Sequence, residues 1–348
     1  MKNHWFHLLL VCVSAVLAGC GGGEPVEYRG LPPVSENVAD RSDALAQVWR
    51  SDPMRGVMLR EADLDYYRNV RPALLVRLRL LRVNYVCIAV ESAELFSGNL
   101  RRTLLDTITD LGGAGIRCGL VISPYRFQRS RPMPILLRLN GLDDPFEDVF
   151  TAALRVNRDL PENCRLTGVM VRVDVHRFNE ANPNLPPGQL YRWRENDYGI
   201  GSDNDVMMRE CFRKLAEWRE RAKAHQLKFS VAIPAFYHER ALAKDLSKGT
   251  VSDFLSVADA VVVLGYGNKP SSYQQSLRRA VDGTSGRRVC CGVVLSGHVS
   301  EASGALRRRD WDDFMRIFSA MHQTLSSMPG YCGMLLIPWQ GIELLQER

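Results

Sequence analysis

The chain has 348 residues, 46% of them hydrophobic and 24% charged. That balance is globular and excludes disordered, collagen-like and polytopic membrane classes. The net charge is +6, and only seven of the 45 basic residues are lysine. The arginines are scattered rather than massed in a basic run, so nucleic acid is not an expected partner.

Met1–Cys20 has the build of a secretory signal peptide: Lys2, an apolar run over Leu8–Ala18, then small residues. The run is shorter than the roughly 20 residues a membrane span needs. Leu17-Ala18-Gly19-Cys20 resembles a bacterial lipobox. The resemblance implies a signal peptide over 1–19 and cleavage before Cys20. Cys20 is then lipidated with acyl chains such as palmitate, which anchor the protein to a membrane. Gly21 after the cysteine points to the outer membrane of the cell envelope. Residues 20–52, rich in Gly and Pro at first, read as lipidated N-terminus and tether. Residues 53–348 read as one domain.

From residue 53 onward, short apolar runs alternate with longer amphipathic segments. Strands are expected at Arg55–Arg60, Val83–Glu91, Arg117–Ser123, Leu166–Val175, Lys228–Phe236, Asp259–Gly265, Arg287–Leu295 and Gly333–Trp339. Helices are expected at 63–81, 99–113, 145–159, 204–225, 250–257, 271–282 and 310–327. The helix over 204–225 has Asp203 or Asn204 as its candidate cap. Its apolar residues Met207, Met208, Cys211, Phe212, Leu215 and Trp218 recur at helical spacing. After Trp339 the closing helix is short or missing. Continuously apolar strands separated by helices are parallel and covered on both faces. Eight such units fit a single (β/α)8 TIM barrel of the α/β class, with long loops after strands 3 and 4. A doubly wound open sheet is the rival, but no Gly-rich phosphate loop follows any strand.

Seven cysteines lie beyond Cys20: 87, 118, 164, 211, 290, 291 and 332. They read as buried free thiols. A disulfide between neighbouring strands stays open as an alternative whose pair the sequence does not choose. No His or Cys spacing suits a metal, and no cofactor motif occurs.

In a barrel, ligands meet the C-terminal strand ends. Those ends carry Arg60-Glu61, Glu91-Ser92, Ser123-Pro124-Tyr125, Asp174-Val175-His176, Phe236-Tyr237-His238, Tyr266, Ser296-Gly297-His298 and Trp339-Gln340. The loop 176–203 adds Trp193 and Tyr198. Aromatic rings beside carboxylates suit a carbohydrate: rings stack on C–H faces while polar groups bind hydroxyls. Tyr125, His176, Trp193, Tyr237, Tyr266 and Trp339 are the substrate-binding candidates. The competing reading is that these rings merely pack the top of the barrel.

Thr167-Gly168-Val169-Met170-Val171-Arg172-Val173-Asp174 resembles the fourth-strand D-G-x-D-x-D-x-E motif of family-18 glycoside hydrolases, the chitinase-like TIM barrels. Leu264-Gly265-Tyr266-Gly267 resembles that family's M-x-Y-D. The segment Gly333–Trp339 resembles its last strand with terminal Trp. The likeness spans most of residues 55–340. It implies a glycoside-hydrolase-like fold and a carbohydrate ligand, either glycan or peptidoglycan. The motif is degenerate. Thr167, Met170 and Arg172 stand where the family has aspartates, Asp174 stands at the glutamate acid, and Gly267 replaces the aspartate after the tyrosine. In a second register, V-R-V-D-V-H, His176 falls at the acid. Either way one catalytic carboxylate of this strand is missing.

Glu91 and Asp174 are the remaining catalytic candidates. Glycosidase carboxylates stand about 5–5.5 Å apart for retention and about 6.5–9.5 Å for inversion. Glu94 and Glu239 are one step into loops, and strand 7 ends without an acid. Asp174 is otherwise the partner of a buried arginine such as Arg60. Arg172 shares a strand face with Met170 and Asp174. Facing inward, it needs Asp174 or Glu91 as partner, because an unpaired buried charge is costly. An Asp174 paired with Arg172 suits binding better than general acid catalysis. Three readings stay open: a weak or rearranged glycosidase, a non-catalytic glycan binder, and a structural or protein-interaction lipoprotein whose loops fill the mouth.

Overall fold

A computed structural model describes residues 35–124, 145–177, 193–265, 270–295 and 310–347. Eight parallel strands close into a barrel in sequence order. They are β1 (Met54–Leu59), β2 (Tyr85–Val90), β3 (Arg117–Ile122), β4 (Gly168–Arg172), β5 (Lys228–Pro234), β6 (Ala260–Leu264), β7 (Val289–Val294) and β8 (Tyr331–Ile337). The seam is parallel, with Met54 opposite Gly333 and Val57 opposite Leu336. The fold is therefore the expected single (β/α)8 barrel, and each strand lies within two residues of its expected start and three of its expected end.

The helices are α1 (Glu36–Trp49), α2 (Glu61–Tyr66), α3 (Arg71–Leu80), α4 (Gly98–Gly113), α5 (Pro145–Arg155), α6 (Asp203–Ala224), α7 (Ala235–Leu242), α8 (Val251–Val257), α9 (Pro270–Val281), α10 (Trp311–Leu325) and α11 (Trp339–Glu347). Four features differ from expectation, the first being α7, which begins at Ala235 where strand 5 is expected to run on to Phe236. The helix expected over 63–81 is two helices, because Pro72 near the start of α3 cannot continue α2. The cap of α6 is Ser202, whose hydroxyl accepts the Asp205 N–H at 3.3 Å, rather than Asp203 or Asn204. Last, α1 forms within the segment that composition assigns to the tether.

That helix belongs to the barrel. Leu45, Ala46 and Trp49 are fully buried, and the Trp49 indole donates to the Leu81 carbonyl at 3.0 Å. Arg41 donates to the Leu345 and Gln346 carbonyls, and Gln346 donates to the Ser42 hydroxyl at 2.8 Å. The last helix, α11, is only nine residues long. The ring position it leaves short is filled by α1.

The barrel interior is packed by Met58, Cys87, Val121, Met170, Ala232, Val262, Cys290 and Leu335, so it is a solid core and not a pore. Tyr85 fits inside because β3 carries Gly119, where a Cβ would lie 2.3 Å from the tyrosine oxygen. A larger cluster lies between strands and helices and includes Trp49, Phe150, Trp218, Tyr237, Phe314 and Trp339. Just before β1, the buried Asp52 carboxylate bonds to His322 Nε2 and Tyr331 Oη, each at 2.8 Å, tying the barrel floor to α10 and β8.

Candidate functional site

Side-chain alternation sets up the mouth. Met170 packs in the interior cluster, so Arg172 and Asp174 follow it on the inner face of β4 and its extension. Arg172 Nη2 donates to Asp174 Oδ1 at 3.1 Å. From the end of β3, Ser123 Oγ donates to Asp174 Oδ2 at 2.9 Å. The Asp174 side chain is 5% exposed and that of Arg172 is 20%. The inward arginine thus finds one of its two expected partners, and both carboxylate oxygens of Asp174 accept hydrogen bonds.

Arg60, the other arginine weighed for Asp174, is engaged elsewhere. Its Nη2 donates to Gln340 Oε1 and stands 3.7 Å from Asp63 Oδ1, while its backbone N–H donates to Asp63 Oδ2 at 2.7 Å. Burial pushes the Asp63 carboxyl above its ordinary range, and the Arg60 bonds oppose that shift. Arg60 and Arg172 each bury an Nε with no hydrogen-bond partner among the described residues. Such donors are normally satisfied by protein, water or ligand.

Glu91 follows β2 and is half-buried. Its backbone is fixed by Glu61, whose Oε1 accepts the N–H groups of Glu91 and Ser92 at 2.6 Å each and whose Oε2 accepts the Ser92 hydroxyl at 2.9 Å. The two carboxylates expected in loops lie in helical turns instead: Glu94 is exposed in a short 3-10 turn, and Glu239, within α7, lies 3.7 Å from the Arg279 guanidinium.

His176, Trp193 and Tyr237 gather after β4 and β5, whereas Trp339, after β8, meets Tyr67. His176 sits half-buried in a single helical turn after β4. Its backbone N–H donates to Tyr237 Oη at 3.1 Å, and its Nδ1 hydrogen-bonds the same oxygen at 2.6 Å. Phe236 and Trp193 cross the His176 ring edge-on at 5.1 and 6.5 Å. Tyr237 is wholly buried, Trp193 is 6% exposed, and Trp339 is wholly buried with its indole N–H 3.5 Å from Tyr67 Oη. These three rings are core side chains that shape the wall, while His176 and Phe236 keep partial exposure. Tyr125, Tyr266 and Cys20 lie outside the described residues. Gly267, His298 and most of both long loops do as well.

Strand alternation alone pairs Arg172 with Asp174 but assigns nothing to Ser123, Glu61 or Gln340, although all three stand at strand ends. The missing signal is register: Ser123 meets Asp174 because β3 and β4 pair Ile122 with Val171.

Behind the wall, His238 Nδ1 accepts the Val251 N–H at 3.1 Å, joining α7 to α8. Burial lowers its pKa from 6.5, opposed by the Arg279 backbone bond and the Asp253 charge. A histidine depressed in the fold is neutral in both states at high pH. As pH falls below 6.5, the unfolded chain takes the proton first and stability drops. The expected result is a Tm that falls as pH is lowered through about 6.5, flattened in His238→Gln. Thermal unfolding across that range checks it; parallel curves for the two proteins would refute it.

A surface depression lined by Arg219, Lys223, Lys228 and Asp259 lies at the start of β5, the opposite end from the mouth. Among the described residues no group of three His, Cys, Asp or Glu is arranged to hold a metal, and no helix is long and apolar enough to cross a membrane.

No protein family matches the sequence, and no curated protein does either. Solved structures give fold-level likenesses. The glycoside hydrolase domain of PgaB (BpsB) from Bordetella bronchiseptica is 12% identical, with a TM-score of 0.46 over 84% of this chain and 98% of that one. The Bacillus cereus spore cortex-lytic enzyme SleL is 12% identical, with a TM-score of 0.46 over 92% and 85%. A chitinase from Chromobacterium violaceum is 13% identical, with a TM-score of 0.38 over 69% of each chain.

Proposed function

We propose that this is a lipid-anchored envelope protein with a glycoside-hydrolase-like barrel. It binds a carbohydrate at the C-terminal mouth and turns it over weakly or not at all. The observation that carries this reading is the bonding of Asp174. A general acid presents an O–H to the leaving oxygen. Asp174 instead accepts at both oxygens, from Arg172 and Ser123. An arginine also stands where the family-18 pattern calls for an aspartate. The role left to Asp174 is to hold Arg172 in place and to meet hydroxyl groups. The half-buried His176, Phe236 and Glu91 and the two unbonded arginine Nε groups supply the remaining contacts.

A glycan array followed by hydrolysis assays on the hits tests this. The parent protein is expected to bind without robust turnover. Asp174→Asn is expected to weaken binding about tenfold, the value of one or two hydrogen bonds to a charged group. Robust parental turnover that collapses in the variant while binding persists would restore Asp174 as a catalyst.

The burial of Tyr237, Trp193 and Trp339 favours a second reading, a structural or protein-interaction lipoprotein whose aromatics only pack. It is the conclusion to draw if no glycan or peptidoglycan fragment binds.

Anchoring through Cys20 is proposed from the lipobox resemblance, with the outer membrane as destination. Cys20→Ser is expected to release the chain from membranes or to block its processing. Fractionation reads the outcome. A correctly cleaved Cys20→Ser protein that still sediments with membranes refutes lipid anchoring.

A further inference from the structure

At the floor of the barrel, away from the mouth, β7 and β8 bring two thiols together. The register pairs Val289 with Tyr331 and then Cys290 with Gly333, so Cys332 is the extra residue of a bulge. In an unbroken ladder Cys332 would point opposite to the residues flanking it. The bulge instead lets it pack with the interior cluster that holds Cys290. Paired strands run about 4.8 Å apart with about 3.3 Å of rise. Diagonal neighbours therefore lie about 6 Å apart at Cα, within the span of protein disulfides. The Cys290 thiol meets the Met54 sulfur at 3.5 Å, so it faces the interior that Cys332 also borders. The other described cysteines are placed differently. Cys118, Cys211 and Cys291 pack in the outer layer between strands and helices, Cys164 is buried in a 3-10 turn before β4, and Cys87 sits inside on β2.

We propose that Cys290 and Cys332 are a redox pair that closes to a disulfide across the β7–β8 bulge when the protein meets a thiol–disulfide oxidant. Cys332 is the half-buried member and so the one an oxidant reaches first. The Cys290 thiol beside it and the Arg117 and Arg287 charges lower its pKa, against burial and the Asp52 charge, and a lowered pKa favours the attacking thiolate. The Cys332 thiolate attacks one sulfur of the oxidant's disulfide and expels the other as a thiolate. Cys290 then gives up its proton, attacks the Cys332 sulfur of the mixed disulfide and expels the second thiolate. Two protein thiols become one disulfide while one oxidant disulfide becomes two thiols. The bridge closes a loop that includes α10 and ties the last strand to its neighbour.

The reduced, folded protein is treated with oxidised glutathione and mapped without reduction. The expected result is one Cys290–Cys332 linked peptide, the mass of two hydrogens lost, and a Tm higher by about 5 °C that dithiothreitol reverses. In Cys290→Ser the reaction is expected to stop at a glutathione adduct on Cys332. In Cys332→Ser neither bridge nor adduct should form at position 290. Linkage of another pair, failure of the folded parent to form the bridge, or an adduct on Cys290 while Cys332 stays free would overturn the proposal.

Discussion

Gly333→Ala will unseal the barrel. Gly333 is the first partner of Met54 along the β1–β8 seam and has φ +142°. A Cβ built there would lie 1.9 Å from the Met54 carbonyl oxygen. That oxygen is backbone, so no side chain can swing aside. Either β8 slides or its backbone leaves a conformation that alanine rarely adopts. Strain of that kind costs about 1–3 kcal/mol, and forced overpacking costs about as much again. The expected loss is about 4 kcal/mol, a large share of the stability of an ordinary domain. Gly115→Ala is the matched control, because Gly115 has φ +74° and a Cβ added there would meet nothing within 4 Å. It should cost about 1 kcal/mol from backbone strain alone. Urea unfolding of both variants separates closure from strain, and equal midpoints would refute the seam argument.

The second large effect is expected at Asp174. Asp174→Ala removes the carboxylate from beside Arg172, whose side chain is only 20% exposed, and leaves the guanidinium without that ion-pair partner. Stripping one member of a buried pair costs about 3–5 kcal/mol. Partial solvation of Arg172 brings the expectation to the lower end, about 3 kcal/mol. Ser123→Ala, which removes one hydroxyl donor, should cost about 1 kcal/mol. The double variant Arg172→Met with Asp174→Leu should recover most of the loss, since two apolar side chains replace two charges together. Denaturant titration of the single and double variants gives the coupling energy. Additive losses would mean that the two residues do not act as a pair.

The strands were legible because each is buried on both faces. β7 and β8 show it in runs such as VCCGVV and YCGMLLI, which carry one meaning whatever the register. The Arg172–Asp174 pair was legible for a related reason: spacing by two residues puts both side chains on one face. The aromatic assignments were weaker. At a strand end, one residue decides between the mouth and the core. Phe236 stays half-buried, whereas Tyr237 beside it turns into the outer core. Helix α1 was obscured by its surroundings. Its buried residues Val38, Leu45, Ala46 and Trp49 are diluted by charged neighbours and follow a Gly- and Pro-rich lead. Helix α7 was hidden because the apolar run of β5 passes straight into it at Pro234-Ala235.

The placement of α1 also bears on the order in which the molecule can be completed during synthesis. Its residues are among the first of the described chain to leave the ribosome, yet the surface that receives Arg41 and Ser42 belongs to α11, at residues 345 and 346. Helix α1 can meet α3 early, through Trp49 and Leu81. It cannot finish docking until residues 345 and 346 have been made. Until then the apolar face bearing Leu45 and Trp49 is only partly covered, so the nascent protein carries a sticky segment until α11 has emerged. The earliest helix is therefore among the last to be fully seated, since its docking waits for α11.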